Sequence, residues 1–369
     1  MSSPARSECS VILSSCESSP YTETDSADDQ ENADYPLIPS TFSEFRGLAG
    51  RMKPFSLTCR HKSPLPEVSW AEQTDLWQSM VLKDTIYRKN PKILLNHPEI
   101  TPNMRAIVLD WLTEVCQVYK LHRETYYLAQ DYIDRFLMLK SNVPKSCLQL
   151  LGVTALFVAA KMEEIYPPRL DQYSFVTDNA CSDSDILAQE VVLIMALKWD
   201  LSTVTINTWL NAFLQLAYIE DSENLIGPKK FPRNMFIQIS QVLDLCILDI
   251  ECLRYPYSVL AASAVAHFLS KETAMHVSGL SWEELLPCVT WLKPFVEVAQ
   301  ETGGVDLRIF SDVSSDDWYN IQTHSAGLTL LERVHEKQIE AAQESPSLAI
   351  RQLTPPLSNK KMNSMNIEN

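Results

Sequence analysis

A short segment near the C-terminus carries the residue types of a phosphorylation switch. Leu353 and Thr354 are followed by Pro355 and Pro356, and Ser358 lies four residues after Thr354. The prolines hold the backbone extended. A phosphate on Thr354 would present about two negative charges to a cluster of arginines, and a second phosphate on Ser358 would reinforce them. Generic Ser-Pro pairs also occur, at Ser19, Ser63 and Ser345.

A second candidate site is a helix whose apolar face is unusually wide. Thr101 and Pro102 predict a helix start, and the pattern runs to about Tyr119. At about 100° per residue, the apolar side chains cover an arc of about 200°, roughly twice an ordinary core stripe. The arc consists of Met104, Ile107, Val108, Leu109, Trp111, Leu112, Val115, Cys116 and Val118.

Two interpretations of this arc remain open. The whole arc could be buried, or one part could face the core while another forms an exposed apolar cleft. Arg105 lies at the edge of the arc and Glu114 lies beside Ile107. Because charges at these places are costly when fully buried, they favour a cleft rimmed by charge.

Two further charges interrupt apolar helical patterns. Lys161 ends one such helix, and Glu190 stands between Ala188 and Val191 in another. Each suits an ordinary role: a lysine interacts favourably with a helix C-terminus, and a glutamate can mark a solvated face. The residues alone do not separate these roles from a binding site.

Helical periodicity predicts the elements that must position these residues. The chain has only 8 glycines in 369 residues, which favours helices over glycine-rich turns. Pro287 and Pro294 should kink or split the helix that Ser281 and Glu284 open as a capping box. Helices are predicted at 70–89, 101–119, 123–139, 144–165, 170–176, 184–199, 205–218, 234–253, 257–270, 282–302 and 320–340.

Two of these helices, near 148–161 and 257–269, are apolar on every side and rich in small residues. A helix that is apolar all round is buried all round. We therefore predict an all-α fold in which one N-terminal helix precedes two tandem five-helix lobes, each wrapped around a central helix, with disordered tails. The predicted divisions are a disordered tail (1–66), the N-terminal helix and linker (67–100), the first lobe (101–200), the second lobe (201–340) and a disordered C-terminal tail (341–369).

Composition argues against several functions. The formal net charge of -16 disfavours nucleic acid, which binds clustered lysine and arginine. No apolar stretch is long enough to predict a membrane span or a signal peptide. Nine scattered cysteines without a C-x-x-C pair predict reduced thiols rather than a metal site. Asp316 and Asp317 lack the third aspartate of a terpenoid-synthase motif, and no phosphate-binding loop occurs, so we expect neither an enzyme nor a cofactor.

Several motifs resemble those of the cyclin family. M-R-A-I-V-L-D-W-L at 104–112 resembles the first helix of a cyclin box, and L-Q-L at 148–150 with A-A-K-M-E-E-I-Y-P-P at 159–168 resembles its third helix and the following turn. Further segments are similar to the cyclin E subfamily: Y-K-L-H-R-E-T at 119–125, V-T-D-N-A-C-S at 176–182, N-I-Q-T-H at 320–324 and L-T-P-P at 353–356.

The resemblance implies a non-catalytic subunit that binds and allosterically activates a cyclin-dependent Ser/Thr kinase at the G1/S transition. The implied kinase-binding residues are Lys161, Glu190, Met162, Glu163 and Ile165. It also implies a cleft that docks substrates and inhibitors carrying an Arg-x-Leu segment. The implied cleft residues are Met104, Arg105, Ile107, Val108, Trp111, Glu114, Leu148 and Gln149, with Arg105 shaping the rim and Val108 standing where the family usually has leucine.

For the tail, the resemblance implies a phosphodegron read by the F-box receptor of a ubiquitin ligase, formed by Leu353, Thr354, Pro355, Pro356 and Ser358. It also implies a nuclear location, with cytoplasm and centrosome as further sites. Candidate basic import signals are Lys53, residues 60–62 and the Lys360-Lys361 pair, while 208–221 resembles a centrosome-targeting stretch or is simply a core helix. A cyclin-box adaptor that contacts promoter DNA is the rival within the fold, and the acidic charge disfavours it.

Overall fold

The computed structural model describes residues 63–65, 72–86, 89–219, 231–303 and 307–344. Within these ranges the chain forms twelve α-helices, four short 3-10 helices and no named β-strand. The α-helices are α1 (Gln73–Ile86), α2 (Pro102–Tyr119), α3 (Arg123–Leu139), α4 (Leu148–Glu163), α5 (Leu170–Val176), α6 (Asp183–Ala196), α7 (Ile206–Tyr218), α8 (Arg233–Cys246), α9 (Tyr257–Phe268), α10 (Lys271–Ser278), α11 (Trp282–Glu301) and α12 (Gly327–Glu344).

The helices form two lobes with the same plan, as predicted. In the first lobe the central helix α4 contacts α2, α3, α5 and α6, and in the second lobe α9 contacts α7, α8, α10 and α11. Every residue from 150 to 160 is buried, as is every residue from 260 to 265. The small side chains of these segments allow neighbouring helices to approach from all sides, so an all-round apolar helix becomes the core of each lobe.

One helix could be mistaken for a membrane span. Residues Lys145–Glu163 are long and apolar enough by length and composition, but 72% of the window is buried inside the protein. The four helices packed around α4 account for its apolar character.

The second lobe differs in detail from the sequence prediction. Helix α10 was not predicted: the preceding helix ends at Phe268, and Ser270 starts a new one because its Oγ accepts a hydrogen bond of 3.0 Å from the backbone nitrogen of Thr273. The predicted helix 234–253 ends at Cys246, after which the Asp249 side chain caps a 3-10 turn. The last helix, α12, begins at Gly327 rather than at Asn320.

The prolines of α11 do not split it. Pro287 and Pro294 both lie inside a continuous helix that starts with the predicted capping box of Ser281. Side chains satisfy carbonyls near these prolines: Thr290 Oγ1 donates to the oxygen of Leu286 at 2.8 Å, and His267 Nε2 donates to that of Val289 at 2.9 Å. Each proline removes the helical hydrogen bond to the carbonyl four residues earlier, at Glu283 and at Thr290, yet the helix continues through both positions.

The N-terminal helix ties into the second lobe through Asp84. Its two carboxylate oxygens accept hydrogen bonds of 3.0 Å from the backbone nitrogens of Tyr257 and Ser258, the first residues of α9. Nearby, Lys89 Nζ pairs with Asp131 of α3 and donates to Tyr257 Oη at 2.7 Å. These buried contacts join α1, the first lobe and the central helix of the second lobe.

The cysteine prediction holds only in part. Cys116 and Cys246 are free and buried, as expected for core thiols. Cys147, just before α4, is instead disulfide-bonded, which corrects the expectation of a reduced thiol there. Most of both predicted tails, including the whole 353–358 motif, lies outside the described residues, and the domain boundaries stay a prediction.

Candidate functional site

The apolar arc of α2 meets α4 at Gly152. A Cβ atom on Gly152 would lie 2.8 Å from Val108 Cγ1 and 3.8 Å from the Trp111 ring. The two helices therefore approach closely because this position has no side chain. The close approach places Val108 and Trp111 directly over the N-terminal half of α4.

The exposure of the arc changes across its width. Its inner members, Leu109, Leu112, Val115 and Cys116, are buried in the core. Met104, Val108 and Trp111 are half-buried, and Ile107 and Val118 are exposed. From α4, Leu148 is buried and Gln149 is exposed. The outer part of α2 and the start of α4 therefore bring together a set of partly exposed apolar side chains, which is called here the cleft and is defined by Met104, Ile107, Val108, Trp111 and Leu148.

Arg105 does not belong to the rim of this cleft, contrary to the sequence expectation. Its side chain is 1% exposed and forms two hydrogen bonds of 2.7 Å with Asp134 of α3. A third bond of 2.8 Å reaches the carbonyl oxygen of Ile247 in the second lobe. Burial alone would lower the pKa of Arg105, but the Asp134 carboxylate outweighs it and the pKa is raised. Arg105 is an inter-lobe tie.

Glu114 lies on α2 one turn beyond Trp111 and two turns beyond Ile107. Its side chain is exposed, and across the part of the chain that the structure describes it has no ion pair. A carboxylate next to exposed apolar side chains suits a ligand that carries a cation close to an aliphatic group. Gln149 is exposed near the start of α4 and can hydrogen-bond a peptide backbone.

A second exposed surface surrounds Lys161 and Glu190. Lys161, in the last turn of α4, forms an ion pair with Glu190 of α6 and lies 4.0 Å from the centre of the Phe157 ring. The lysine side chain is 39% exposed and the glutamate side chain 16%. Because the pair is neither fully buried nor fully solvated, a partner protein can reach it and desolvate it.

Large apolar side chains are exposed around this pair. Leu187, Val191 and Met195 recur every four residues and form a stripe along one side of α6. We call the pair and its neighbours the pair surface; its exposed apolar members are Met162, Ile165, Tyr166, Leu187, Val191, Met195 and Trp199. Contiguous exposed apolar groups mark protein interaction sites. The sequence prediction named Met162 and Ile165 but missed the α6 stripe, although its four-residue spacing was a readable signal.

Glu163 is exposed at the edge of the pair surface. Burial, followed by the charge of Glu124, raises the pKa of its carboxyl. Together with Glu124 it lines an open polar pocket between the lobes, alongside Asn207 and Thr208 of α7.

Two of the quoted motifs meet in space. The segment after α11, residues 307–326, is called here the return segment because it runs back over the first lobe. Gln322 donates its backbone N–H to the carbonyl oxygen of Leu121 at 2.9 Å, and Ile321 forms an isolated antiparallel bridge with His122. The 119–125 and 320–324 motifs are therefore the two sides of one contact, a role that the sequence alone did not suggest.

Charged groups hold the return segment in place. His122 Nδ1 lies 2.6 Å from a Glu164 oxygen, and its Nε2 lies 2.8 Å from an Asp317 oxygen. With a carboxylate at each ring nitrogen, both nitrogens donate and the imidazole is positively charged. The hydrogen bond to Glu164 is the main reason that the pKa of His122 rises to about 9, despite partial burial. The same contact lowers the pKa of Glu164, against the effect of burial.

No group of three or more histidine, cysteine or acidic side chains that could hold a metal ion occurs among the described residues. The basic residues considered for nuclear import lie outside the described ranges. Within the 208–221 stretch, Trp209 is fully buried and packs edge-on against Trp77 of α1 at 5.3 Å, so this residue belongs to the core.

Comparison with known proteins agrees with the two-lobe architecture. The family described as cyclin, N-terminal domain matches residues 75–202, and cyclin, C-terminal domain matches 204–327. The chain is 46% identical over 308 residues to G1/S-specific cyclin-E1 of Danio rerio, which covers 83% of this chain and 75% of that protein. It is also 46% identical over 306 residues to G1/S-specific cyclin-E1 of Rattus norvegicus, covering 82% and 74%.

A solved structure shares the fold. The viral cyclin from herpesvirus saimiri aligns with a TM-score of 0.52 and 16% sequence identity, over 61% of this chain and 97% of that one. At this identity the likeness concerns the fold alone.

Tandem cyclin domains on two five-helix lobes define the class, and the chain belongs to the cyclin family. Its relatives place it, within that family, in the G1/S-specific cyclin E subfamily. It is accordingly a cyclin-type regulatory subunit of a cyclin-dependent kinase at the G1/S transition. Membership in a family of kinase regulatory subunits is consistent with a non-catalytic role.

Proposed function

We propose that the chain activates its kinase by docking the pair surface against the regulatory helix of the kinase. The observation that carries this proposal is the Lys161–Glu190 ion pair within a border of exposed apolar side chains. Interface hot spots combine a desolvated polar anchor with surrounding apolar contacts that exclude water. Lys161 offers donors and Glu190 offers acceptors, so together they can bind the polar backbone groups at a helix end.

Such a contact would activate the kinase by changing the position of its regulatory helix. A kinase is active only when its regulatory helix brings a glutamate to the lysine that holds the nucleotide phosphates, and when its activation loop is in place. A rigid surface that binds only the inward position of that helix shifts the equilibrium toward the active state. The buried lobe cores and the inter-lobe ties described above supply that rigidity.

A charge swap tests the kinase contact. In the double variant Lys161→Glu with Glu190→Lys, the intramolecular ion pair persists with reversed polarity, so helicity and stability stay unchanged. The donors and acceptors presented to the kinase are exchanged, and co-purification with a cyclin-dependent kinase and histone phosphorylation are lost. The matched control swaps Lys293 and Glu297, an exposed pair on α11 in the second lobe, and keeps both. Normal kinase recovery with the first swap refutes the proposal.

The cleft between α2 and α4 is proposed to dock substrates and inhibitors that carry Arg-x-Leu. Its apolar floor suits the leucine, Glu114 suits the arginine, and Gln149 suits the peptide backbone. Because the ring of Trp111 is a half-buried part of the floor, Trp111→Ala is expected to abolish peptide binding in a fluorescence anisotropy assay. The same variant should still co-purify with the kinase, since the pair surface lies elsewhere on the lobe. Retained peptide affinity contradicts the assignment.

The C-terminal motif is proposed to be a phosphodegron recognised by an F-box ubiquitin-ligase receptor. Its support is the sequence: Thr354 stands between an apolar anchor and two prolines, and Ser358 can supply a second phosphate. Thr354→Ala should lengthen the half-life of the protein in a cycloheximide chase, with Ser345→Ala as the control at a generic Ser-Pro pair. An unchanged half-life for Thr354→Ala rejects the degron.

A nuclear location, with a cytoplasmic and centrosomal fraction, is also proposed from the subfamily. The support within the chain is limited to short basic clusters such as Lys360-Lys361. Replacing both lysines by alanine in a fluorescent fusion tests this signal. Undiminished nuclear fluorescence would assign import to another segment.

A further inference from the structure

We propose that Cys147 is a redox-sensitive site through which the N-terminal segment, residues 1–62, is tied to the start of α4. Cys147 is disulfide-bonded, and the next two residues, Leu148 and Gln149, belong to the proposed docking site. Formation of the bond holds the N-terminal segment beside this end of the cleft and prevents substrate docking, and reduction releases it. The effect on docking rests on the proposed function of the cleft, whereas the bond itself does not.

The partner of Cys147 follows by elimination. The chain has nine cysteines. Five of the cysteines in the part of the chain that the structure describes are free, and Cys147 is the sixth. The three that remain are Cys9, Cys16 and Cys59. All three precede Ser63, the first described residue, so the bond joins the start of α4 to the N-terminal segment.

Cys147 occupies a position that stabilises a thiolate, which is the reactive form of cysteine. It is the N-cap residue of α4, a helix of 16 residues, and its side chain makes no capping hydrogen bond. The backbone N–H groups at the start of a helix carry partial positive charge. Lys145, which is exposed, adds a full positive charge two residues earlier. Cysteines in such surroundings are the ones that undergo redox chemistry.

The free cysteines have the opposite surroundings. Each of them is buried, and burial raises the pKa of every one of these thiols above its ordinary value. A buried and protonated thiol is a poor nucleophile. Oxidation should therefore be selective for Cys147 among the described cysteines. The protected thiols are those of Cys116, Cys181, Cys246, Cys252 and Cys288.

Formation of the bond needs an oxidant, and hydrogen peroxide is sufficient. One thiol is oxidised by peroxide to a sulfenic acid, which releases one water. The second thiol attacks that sulfur, the S–S bond forms, and a second water leaves. In total, two thiols lose two protons and two electrons, and one peroxide becomes two waters. In a reducing compartment such a bond is transient, so it senses oxidants instead of serving as a permanent crosslink.

The bond brings a second stretch of backbone close to the docking residues. The Cα atoms that a disulfide joins are usually about 5.5–6 Å apart, and Leu148 and Gln149 follow Cys147 directly. A segment attached at Cys147 therefore occupies the space through which a peptide must reach Gln149 and the adjoining apolar floor. Lys161 of the pair surface lies 14 residues further along the chain, about 20 Å along α4. Kinase binding should therefore be unaffected.

Mass spectrometry after controlled oxidation tests the bond. The full-length chain is reduced, treated with hydrogen peroxide, alkylated and digested without reductant. We expect a crosslinked peptide pair that joins Cys147 to Cys9, Cys16 or Cys59, and no such pair in Cys147→Ser. The matched control is Cys181→Ser, because Cys181 and Cys147 are both 6% exposed; it should keep the pair. The absence of a crosslink at Cys147, or a crosslinked dimer on a non-reducing gel, overturns the proposal.

A peptide titration tests the consequence for docking. The probe is a fluorescein-labelled peptide with Arg-Ala-Leu at its centre. Because a tied chain is not competent to bind, the number of probe sites should fall in proportion to the fraction of chain that is crosslinked, and dithiothreitol should restore them. Cys147→Ser should keep all its sites in both conditions. A crosslinked wild type that keeps its full number of sites overturns the proposal.

Two controls separate this proposal from the function on which it rests. If the fully reduced chain binds no probe, the proposed docking function of the cleft fails, while the crosslink map still decides whether Cys147 is tied to the N-terminal segment. Oxidised wild type should co-purify with the kinase as well as the reduced chain does. Loss of kinase recovery would mean that oxidation damages the whole protein, and the selective effect on docking would then be refuted.

Discussion

Arg105 and Asp134 form a two-pronged ion pair with both nitrogen–oxygen distances at 2.7 Å. Arg105 follows Met104 of the cleft directly, yet it points the other way, into the junction of the lobes. There it also reaches the backbone of Ile247. One turn of α2 therefore serves two purposes: one side chain contributes to a binding surface and its neighbour fixes the lobes that frame it.

Removing Arg105 should damage stability rather than the cleft. Arg105→Ala leaves the fully buried Asp134 carboxylate without its partner, and breaking one half of a buried pair costs about 3–5 kcal/mol. Arg105→Lys keeps the charge but loses the fork geometry, and it should fall between the wild type and alanine. The free energy of unfolding in urea measures both. If Arg105→Ala were as stable as the wild type but bound peptide more weakly, Arg105 would have to be assigned to the rim of the cleft after all.

Gly152 offers a direct handle on the shape of the cleft. In Gly152→Ala the new methyl group would lie 2.8 Å from Val108 Cγ1, so Val108 or the helix must move. Overpacking of this kind costs about 1–3 kcal/mol, partly offset by the better helix propensity of alanine. We expect weaker binding of an Arg-x-Leu peptide, measured by anisotropy, with a modestly lower melting temperature.

The control for Gly152→Ala is a second substitution at Val108, the residue that the new methyl group would contact. Adding Val108→Ala removes the Cγ1 atom that the new methyl group of Gly152→Ala would meet. Gly152→Ala should therefore weaken peptide binding less in the Val108→Ala background than in the wild type. A double-mutant cycle with no coupling between positions 108 and 152 would mean that the steric argument is wrong.

Hydrophobic periodicity was sufficient to predict the fold because the helices with the clearest patterns are also the ones around which the lobes are built. The all-round apolar helices at 148–160 and 257–268 could only be lobe centres, and they are. Helix α10 was not predicted because it has only eight residues and because Ser270, which precedes it, was interpreted as the end of the previous helix. Local hydrogen bonding by Ser270, not hydrophobic pattern, decides that boundary.

The sites were predictable to a lesser extent, since exposure depends on tertiary contacts. The arc of α2 could be predicted to be wide, but which of its charges is buried depends on the arrival of Asp134 and of the second lobe. Arg105 was misplaced for that reason. The return segment could not be predicted from the sequence, because its contact partners His122 and Asp317 are far apart in the chain and neither belongs to a periodic pattern.

Asp84 is predicted to secure the start of the central helix in the second lobe. Its carboxylate accepts from two backbone nitrogens of α9, and burial raises its pKa against the effect of those hydrogen bonds. Asp84→Ala leaves both donors without the side chain that they bind, which should cost about 2 kcal/mol. Asp84→Asn keeps one acceptor and should cost less. If the urea midpoints of both variants equal that of the wild type, the cap is unimportant.

The return segment gives the stability of the protein a dependence on alkaline pH. His122 has a pKa of about 9 in the folded chain, above its ordinary value of 6.5. Below about pH 6.5 both the folded and the unfolded chain bind this proton, and the full stabilisation by Glu164 and Asp317 is present. As pH rises toward and through 9, the folded chain loses the proton and the stabilisation disappears.

His122→Asn should therefore be less stable than the wild type near pH 6.5, and the gap between their melting temperatures should narrow steadily from pH 7 to pH 10. Because other groups titrate in both proteins, the difference between the two curves isolates His122. Asp317→Asn removes one of the two carboxylates and should shift the narrowing to lower pH, since the folded pKa of His122 falls. A gap that stays constant across this range would show that His122 carries no extra proton in the folded chain.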